Sequence, residues 1–336
     1  MSTAAKLVIG ASGFLGSHVV KQLVARGEDV RVLLRPTSST RAIDGLPVQR
    51  HYGDIFDRDA LRAAMAGCDV VHYCVVDARP WLRDPSPMWR TNVVGLRHVL
   101  DVVVEAELRR FVFTSSACTI GLAGRGSTAS EETEHNWTAA GGDYVRTRVQ
   151  AEEMVLHDSR WNGLPGVAMC VSNTYGPGDW SPTPHGGMVS DVIRGRMPFH
   201  IKGVSSEVVG VEDAATALVL AGEHGRVGER YVVSERFMSS RDICETACSA
   251  AGVKPPRIGV PIQLMSAAAR LNALIAGARD EDTRLTPLAM RLMGIMSPMD
   301  HGKAERELGW RPRPAPEAIA DAARFFRAER GNVTGR

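Results

Sequence analysis

The sequence contains little lysine, few aromatic residues and no long uninterrupted apolar run. Only five of its 40 basic residues are lysines, so arginine carries most of the positive charge. No run approaches the about 18 consecutive apolar residues that a transmembrane helix needs, and we therefore expect no membrane span. The net charge is only +2 with both signs interspersed, which argues against a nucleic-acid partner.

The chain also lacks the features of a secreted or metal-stabilised protein. Glycines follow the first apolar run (KLVIG) directly, so no signal peptide is predicted. The six cysteines are scattered, and Cys244 and Cys248 lack a second pair of ligands for structural zinc. We expect buried reduced thiols, no metal and a cytoplasmic location. The 336 residues, 44% of them hydrophobic, suffice for one large domain or two unequal lobes.

The first half of the chain alternates short β-rich runs with helical patterns. This alternation predicts a parallel sheet covered on both faces, a Rossmann-type doubly wound α/β fold. Ligands in such sheets bind beyond the carboxyl ends of the strands. The predicted strands are 6–10, 29–34, 48–53, 69–74, 109–116 and 166–172, and the predicted helices are 14–27, 58–68, 88–107 and 144–159.

The second half is less regular. Residues 175–187 are rich in proline and glycine and predict a loop. Segment 261–298 is rich in leucine, alanine and methionine, which predicts helical core or, alternatively, an adaptable apolar wall for a substrate. The expected organisation is a dinucleotide-binding domain over 1–174, with 207–235 returning to it, and a smaller substrate lobe formed by 175–206 and 236–330.

A glycine-rich turn stands between the first strand and the first helix, in VIGASGFLGSHVV (8–20). Its glycines allow a tight turn, close approach of a pyrophosphate and tight helix–strand packing, while the helix N-terminus offers N–H groups to the anion. A glycine triplet alone is a weak signal, but this strand–turn–helix context predicts dinucleotide binding. The expected cofactor contacts of this turn are Gly10, Ser12, Gly13, Phe14, Leu15 and Gly16.

The end of the second strand bears on the choice of cofactor. An acidic residue there would favour NAD, whereas this chain has Arg35, whose guanidinium suits the 2′-phosphate of NADP. Ser38 and Arg41 are placed to assist. We predict NADP as the cofactor. The alternative is NAD, in which case Arg35 is a solvated residue at the end of the strand. Asp54 and Ile55, ending the third strand, are expected near the adenine, although Asp54 also suits a turn.

Two further segments carry candidate catalytic groups. Strand 109–116 ends in Ser115 and Ser116, and GDYVRTRVQAEEMV (142–155) places Arg148 one helical turn after Tyr144. A neighbouring cation lowers the pKa of tyrosine from its ordinary value of about 10. Such a tyrosine can exchange a proton with a carbonyl or alcohol, while a serine holds the same oxygen and a nicotinamide carries the hydride.

With these motifs, the chain resembles the extended short-chain dehydrogenases/reductases, also called the NAD-dependent epimerase/dehydratase family. Arg35-Pro36 and GERYVVS (228–234) look closest to its dihydroflavonol-reductase-like and hydroxysteroid-dehydrogenase-like branches. The motifs that carry the resemblance are GASGFLG (10–16), GDIFD (53–57), TNVVGLRHVL (91–100), FTSSACTIG (113–121), SNTYGPGD (172–179), VVGVEDAATALVLA (208–221) and KAERELGWRPRP (303–314).

The resemblance implies roles for individual residues. Ser116 falls on the catalytic hydroxyl, Tyr144 on the catalytic acid/base, and Asn92 on the asparagine that supports the proton relay. A homodimer through helices 88–107 and 144–159 is also implied. Further expected cofactor contacts, at the tips of strands four and six, are Cys74, Val75, Val171, Ser172, Asn173 and Thr174.

The sequence departs from the family pattern at two places. Arg148 stands where the family has an active-site lysine, and Cys170-Val171 replaces the Arg-Pro that usually ends strand six. Arginine keeps the positive charge but essentially never releases its proton. We therefore expect Arg148 to contact the cofactor but not to pass on a proton as the lysine of the family does.

These observations favour an NADP-dependent oxidoreductase that interconverts a secondary alcohol and a ketone on an apolar or polycyclic small molecule. One alternative is a nucleotide-sugar epimerase or dehydratase. Another is a catalytically weak dinucleotide-binding or sensing protein, because Arg148 replaces the lysine. Thr119 and His185 are candidate substrate contacts, although Thr119 also suits a local backbone contact and His185 a solvated loop position.

Overall fold

The computed structural model describes residues 4–124, 126–279 and 282–333. Its strands, in chain order, are β1 Ala5–Ile9, β2 Val30–Leu34, β3 Gln49–Tyr52, β4 Cys68–Tyr73, β5 Arg110–Ser116, β6 Gly166–Val171, β7 Asn173–Tyr175, β8 Phe199–Lys202, β9 Ser205–Gly210, β10 Arg230–Val233, β11 Arg236–Ser239 and β12 Ile258–Pro261.

The helices lie between and after these strands. In chain order they are α1 Phe14–Ala25, α2 Arg58–Met65, α3 Ser86–Trp89, α4 Leu96–Glu105, α5 Thr138–Trp161, α6 Pro184–Ile193, α7 Val211–His224, α8 Ser240–Ala251, α9 Ile262–Arg279, α10 Pro287–Gly294, α11 Gly302–Leu308 and α12 Ala315–Val333.

A seven-stranded sheet in the order β10-β6-β5-β4-β1-β2-β3 forms the centre of the molecule. Every neighbouring pair in it is parallel, and the six predicted strands all take part. The predicted Rossmann-type α/β fold is therefore confirmed. The strand order reverses between β1 and β4, which opens a crevice at their carboxyl ends where ligands bind in such sheets.

Alternate residues of the central strands point to opposite faces of the sheet and pack into two cores, one on each face. Val8 packs with residues of α1 and α7 on one face. Leu7 and Ile9 pack with residues of α2, α4 and α5 on the other. This three-layer arrangement follows from strands that are apolar on both sides. It leaves only the strand ends open to a ligand.

Two predicted helices have a different local structure. The helix predicted over 88–107 is divided into α3, a π-helical turn over Arg90–Gly95 and α4. Helix α5 begins at Thr138, earlier than predicted, and turns sharply at Gly142, whose φ is +62°. A side chain at Gly142 would also meet Leu288, since an added Cβ would lie 2.8 Å from its Cδ2. Only glycine fits this bend easily.

A third core lies beyond the central sheet. It is formed by α6, α8 and α12 around Tyr175, against a small sheet of β7, β9 and β11. Residues 175–187 are not wholly a loop, as predicted, because α6 begins at Pro184. Thr183 caps this helix by accepting a hydrogen bond from the Gly186 amide, and proline suits the first helical turn.

Segment 261–298 differs from the helical core predicted there. It forms α9 and α10, which pack on each other, but several large apolar side chains of α9 are exposed. No helix among the described residues is long and apolar enough to cross a membrane.

Candidate active site

The glycine-rich turn forms a cradle at the carboxyl end of β1. Gly10 has a φ of +92°, and an added Cβ would lie 2.8 Å from the carbonyl carbon of Cys74. A Cβ on Gly16 would lie 2.2 Å from the Gly10 oxygen, so larger residues cannot occupy either position. Helix α1 begins directly after Gly13 and has no acidic residue in its first turn. Its free N–H groups therefore suit a pyrophosphate.

Two arginines follow β2, and only one of them is engaged by other side chains of the described residues. Arg35 is exposed, and its main-chain oxygen accepts a hydrogen bond from the Ser38 amide. Arg41 lies 3.6 Å over the ring of Trp180 and forms a 3.2 Å ion pair with Glu329. Arg35, and not Arg41, is thus available to an anionic ligand at this edge.

The end of β3 supports the turn interpretation of Asp54. Its carboxylate accepts a hydrogen bond from the Phe56 amide at 3.1 Å. Ile55 is buried and packs so closely on Gly95 that an added Cβ there would lie 2.4 Å from the Ile55 Cδ1. The Ile55 side chain is therefore used in packing. Contacts of these two residues with an adenine stay predictions.

Ser116 and Tyr144 meet at the carboxyl end of β5. Ser116 ends the strand and caps the short 3₁₀ turn Ala117–Thr119, accepting a hydrogen bond from the Cys118 amide at 3.3 Å. Its hydroxyl also lies close enough to the phenol of Tyr144 to lower the pKa of that phenol. The two predicted catalytic hydroxyls are therefore adjacent, although they come from different elements.

Tyr144 packs against a small apolar cluster. The core of this cluster is Cys118, Trp137 and Val145, and Leu122, Leu292 and Ile295 pack against the same core, with Leu292 and Ile295 coming from α10 and the residue after it. Burial raises the pKa of Tyr144 to about 12, more than Arg148 and the Ser116 hydroxyl lower it. Tyr144 is thus a protonated hydrogen-bond donor at neutral pH.

Arg148 is buried beneath this pair, with only 2% of its surface exposed. Its Nη2 donates to the main-chain oxygen of Thr114 at 2.6 Å, and its Cζ lies 5.3 Å from the centre of the Phe113 ring. Its Nε is buried and has no partner among the described residues. The charge is fixed near Tyr144, and one donor remains for a ligand.

A second buried polar atom without a partner in the described structure is the Ser172 Oγ, just beyond β6. The Ser172 amide donates to the Val233 oxygen at 3.0 Å, which fixes the backbone between Val171 and Thr174. Buried polar groups normally have partners. The free Arg148 Nε, the free Ser172 Oγ and the glycine cradle therefore fit a nicotinamide dinucleotide.

The Cys74 thiol and the neighbouring Val75 lie at the tip of β4. The Thr114 hydroxyl lies 3.4 Å from the Cys74 sulfur, and burial raises the thiol pKa to about 11. Cys74 therefore stays uncharged, and its main chain closes the crevice beside Gly10.

Asn92 lies on the π-helical turn and is buried. Its side chain exchanges two hydrogen bonds with the main chain of Asp77, at 2.8 and 3.0 Å, and donates to the Thr147 hydroxyl at 3.1 Å. Asn92 thus joins the loop after β4 to α5. A role in a proton relay stays a prediction.

The two candidate substrate residues are placed differently from each other. The Thr119 hydroxyl is buried and lies 2.8 Å from both the main-chain oxygen of Ser116 and the Glu152 carboxylate. It is therefore engaged within the protein. His185 lies in α6, not in a loop, with its ring centre 6.1 Å from that of Tyr175. Burial lowers the pKa of His185 to about 4, so the ring is neutral at pH 7.

Sequence reasoning missed the function of Glu152, which connects the elements of the site. This carboxylate is 3% exposed. It accepts hydrogen bonds from Ser115 at 2.5 Å and Thr119 at 2.8 Å, and forms a 3.0 Å ion pair with Arg230 of β10. The spacing 144, 148, 152 places Glu152 on the face of α5 that carries Tyr144 and Arg148, so a signal was present.

Arg230 bears on the second departure from the family pattern. Cys170 of β6 stands at the position where the family has an arginine, and its thiol lies 3.1 Å from the Glu152 carboxylate. The cation comes instead from Arg230 on the neighbouring strand β10. Arg230 also donates to the main-chain oxygen of Glu131, which connects the chain around Glu131 to the site. A pairing between residues so distant in sequence has no local signal.

Comparison with known proteins agrees with this geometry. The model of the family described as NAD dependent epimerase/dehydratase matches residues 6–234. The "Sterol demethylase protein B" of Methylococcus capsulatus is 32% identical over 97% of this chain and 99% of its own length. The "Putative dihydroflavonol 4-reductase" of Synechocystis sp. is 28% identical over 95% and 93%, respectively.

A solved structure is similar over nearly the whole chain. The crystal structure of gox2253 superposes with a TM-score of 0.86 at 32% identity, covering 97% of this chain and 99% of that one. The protein therefore belongs to the NAD-dependent epimerase/dehydratase family, the extended short-chain dehydrogenases/reductases, whose members are NAD(P)-dependent enzymes that act on hydroxyl and keto groups.

Proposed function

We propose that the protein is an NADP-dependent oxidoreductase that interconverts a ketone and a secondary alcohol on an apolar, polycyclic small molecule, with ketone reduction as its favoured direction. The observation that carries this proposal is the position of the Tyr144 phenol, which lies beside the Ser116 hydroxyl, packs against an apolar cluster and has its pKa raised further by burial. Such a phenol is a proton donor for a carbonyl oxygen that becomes an alkoxide.

When bound, the nicotinamide dinucleotide supplies or accepts the hydride. The Ser116 hydroxyl holds the substrate oxygen, and Tyr144 donates the proton to it during reduction. The Arg148 charge stabilises the phenolate that remains, because Arg148 lowers the pKa of Tyr144. Arg148 keeps its own proton, so the phenolate must recover a proton by another route, such as water.

The cofactor preference is proposed from the end of β2. Arg35 is exposed directly after Leu34, in the position where this fold contacts the adenine ribose. A guanidinium there binds a 2′-phosphate through charge-assisted hydrogen bonds. The absence of an acidic residue at this position removes the usual partner of the NAD ribose.

The substrate class is proposed from the apolar side chains that pack in the same cluster as Tyr144. Leu122, Leu292 and Ile295 offer no hydrogen-bonding group, and burying such side chains favours an apolar ligand. Two relatives support this class by their names, since a sterol and a dihydroflavonol are both polycyclic.

Product analysis with purified protein tests the proposal. The protein is incubated with NADPH or NADH and a panel of steroid and flavanone ketones, and separately with UDP- and GDP-sugars. We expect NADPH oxidation matched by alcohol formation. Sugar epimerisation without net cofactor oxidation would instead assign the epimerase function, and cofactor binding without turnover of either panel would indicate a sensing protein.

A further inference from the structure

Helix α9 presents an apolar face that no other described element covers. Leu264, Leu271 and Ile275 are 63%, 61% and 47% exposed, and their spacing of seven and four residues places them on one side of the helix. Leu274, beside them, is 73% exposed. The helix packs mainly on α10 and β12, on its opposite side. Contiguous exposed apolar surface of this kind indicates an interaction site.

Three exposed cations lie on α9 or in the segment that precedes it. Arg270 is exposed on α9 itself, and Lys254 and Arg257 are exposed just before β12. Among the described residues, none of these three forms an ion pair. The sequence contains no aspartate or glutamate between positions 246 and 279. Asp280, Glu281 and Asp282 follow the helix in the sequence, and the Asp282 carboxylate accepts a hydrogen bond from the Arg83 amide.

A cavity lies beside α9 and shares one residue with the apolar cluster that holds Tyr144. It has a volume of about 490 Å³ and lies between α9 and α10, with Ala267 and Arg270 on the α9 side and Met290 on the α10 side. Ile295 also lines this cavity and belongs to the apolar cluster that holds Tyr144. An apolar molecule entering between the two helices would thus be close to the phenol.

We propose that α9 docks on an anionic lipid surface and that apolar substrate passes from this surface between α9 and α10 towards Tyr144. The entry route, though not the docking itself, rests on the proposed function. Interfacial helices bind membranes through a buried apolar face and basic residues that attract anionic headgroups. The face of α9 and its three free cations match that description.

A second copy of the chain is a less suitable occupant of this face. A two-fold contact places the same surface of both copies together. Here it would bring the Arg270 side chains of the two copies towards each other, and α9 itself carries no acidic residue to pair with them. An anionic surface satisfies the same cations directly.

Vesicle flotation tests the docking with the full-length protein. The probes are vesicles of phosphatidylcholine alone and of phosphatidylcholine mixed with phosphatidylglycerol. We expect binding to the mixed vesicles that salt weakens, and binding at least about tenfold weaker for Leu271→Asp/Leu274→Asp. Val227→Asp, at an exposed valine in the loop before β10, is the matched control and should bind like the wild type.

A second pair of variants tests how much positive charge contributes to vesicle binding. Arg270→Glu should weaken binding to the mixed vesicles several-fold, whereas Arg306→Glu, which makes the same change on α11, should not. All variants are checked for wild-type circular dichroism. Leu271→Asp/Leu274→Asp should also keep its kcat/KM for a water-soluble ketone and lose activity on a ketone embedded in vesicles.

Three outcomes would overturn the docking: no flotation of the wild type with mixed vesicles, equal flotation of Leu271→Asp/Leu274→Asp, or a solution dimer that this variant dissociates without any vesicle binding. The proposed function fails separately. A protein that floats but reduces no ketone keeps the docking surface, and a reductase that never floats keeps the function.

Discussion

The guanidinium of Arg148 donates to the main-chain oxygen of Thr114, with 2.6 Å between Nη2 and the oxygen. Thr114 is two residues before Ser116 on the same strand, and the Ser116 hydroxyl lies beside the Tyr144 phenol, whose pKa it lowers. One arginine thus places a fixed charge beneath both candidate catalytic hydroxyls. The contact explains how the site retains a cation without the lysine of its family.

Removing this charge should slow the proposed reduction. Arg148→Met leaves the phenolate of Tyr144 unstabilised and the oxygen of Thr114 without its partner, so we expect kcat/KM for ketone reduction to fall about 100-fold. Arg148→Lys keeps the charge and should stay within about tenfold of the wild type. Steady-state kinetics with NADPH measure both. Wild-type activity in Arg148→Met would remove the cation from the mechanism.

The proposed cofactor preference depends on Arg35. Arg35→Ala should weaken NADPH binding about tenfold to 100-fold and leave NADH binding nearly unchanged, because only NADPH carries the 2′-phosphate. Fluorescence titration of the purified protein with each cofactor gives both constants. Arg41→Ala is the control, since Arg41 is engaged by Trp180 and Glu329. Equal losses in the two variants would mean that the assignment to Arg35 is wrong.

The ion pair between Glu152 and Arg230 should contribute to stability as a unit. Glu152→Gln leaves the partly buried Arg230 without its counter-charge, and we expect the free energy of unfolding to fall by about 3 kcal/mol. Combining it with Arg230→Met should recover much of this loss, because the uncompensated charge is gone. Urea unfolding of the four proteins in the cycle measures the coupling. Additive losses would show that the pair is not coupled.

The buried His18 should make the free energy of unfolding fall as the pH is lowered. It is buried and bonded to the Pro177 oxygen, and its pKa is lowered from 6.5 to about 4, mainly by burial. The unfolded chain therefore takes up a proton on His18 as the pH falls below 6.5, whereas the folded protein resists until about 4. The contribution of neutral His18 is complete above pH 6.5 and should fall by about 3 kcal/mol across this window.

Urea unfolding at several pH values measures this loss. His18→Gln keeps a hydrogen-bond donor but does not titrate, so its stability should depend less steeply on pH between 6.5 and about 4. His224→Gln, at an exposed histidine, should follow the wild type. Identical slopes for His18→Gln and the wild type would contradict the assignment.

The sequence was sufficient for the central sheet because local patterns specify it. Apolar strands alternating with helices permit few other topologies, and the glycine-rich turn lies where the fold requires it. The adjacency of Ser116 and Tyr144 was also predictable, since a strand end and a helix face were both recognisable. The additional strand Arg230–Val233 extends the sheet beside β6.

Other features depend on contacts that no local pattern encodes. The pairing of Glu152 with Arg230 joins residues 78 positions apart. The engagement of Arg41 depends on Trp180, and the helix at Pro184 starts inside a segment whose composition is typical of loops. The exposure of α9 could not be predicted from its leucines, which suit a core equally well.

The central claim is that Tyr144 donates the proton during NADPH-dependent reduction of an apolar ketone. The most direct measurement compares wild type and Tyr144→Phe for NADPH binding and for the single-turnover rate with a polycyclic ketone. The account predicts equal NADPH binding and a rate about 100-fold to 10,000-fold lower in the variant. A variant as fast as the wild type, or a wild type that reduces no such ketone, would contradict it.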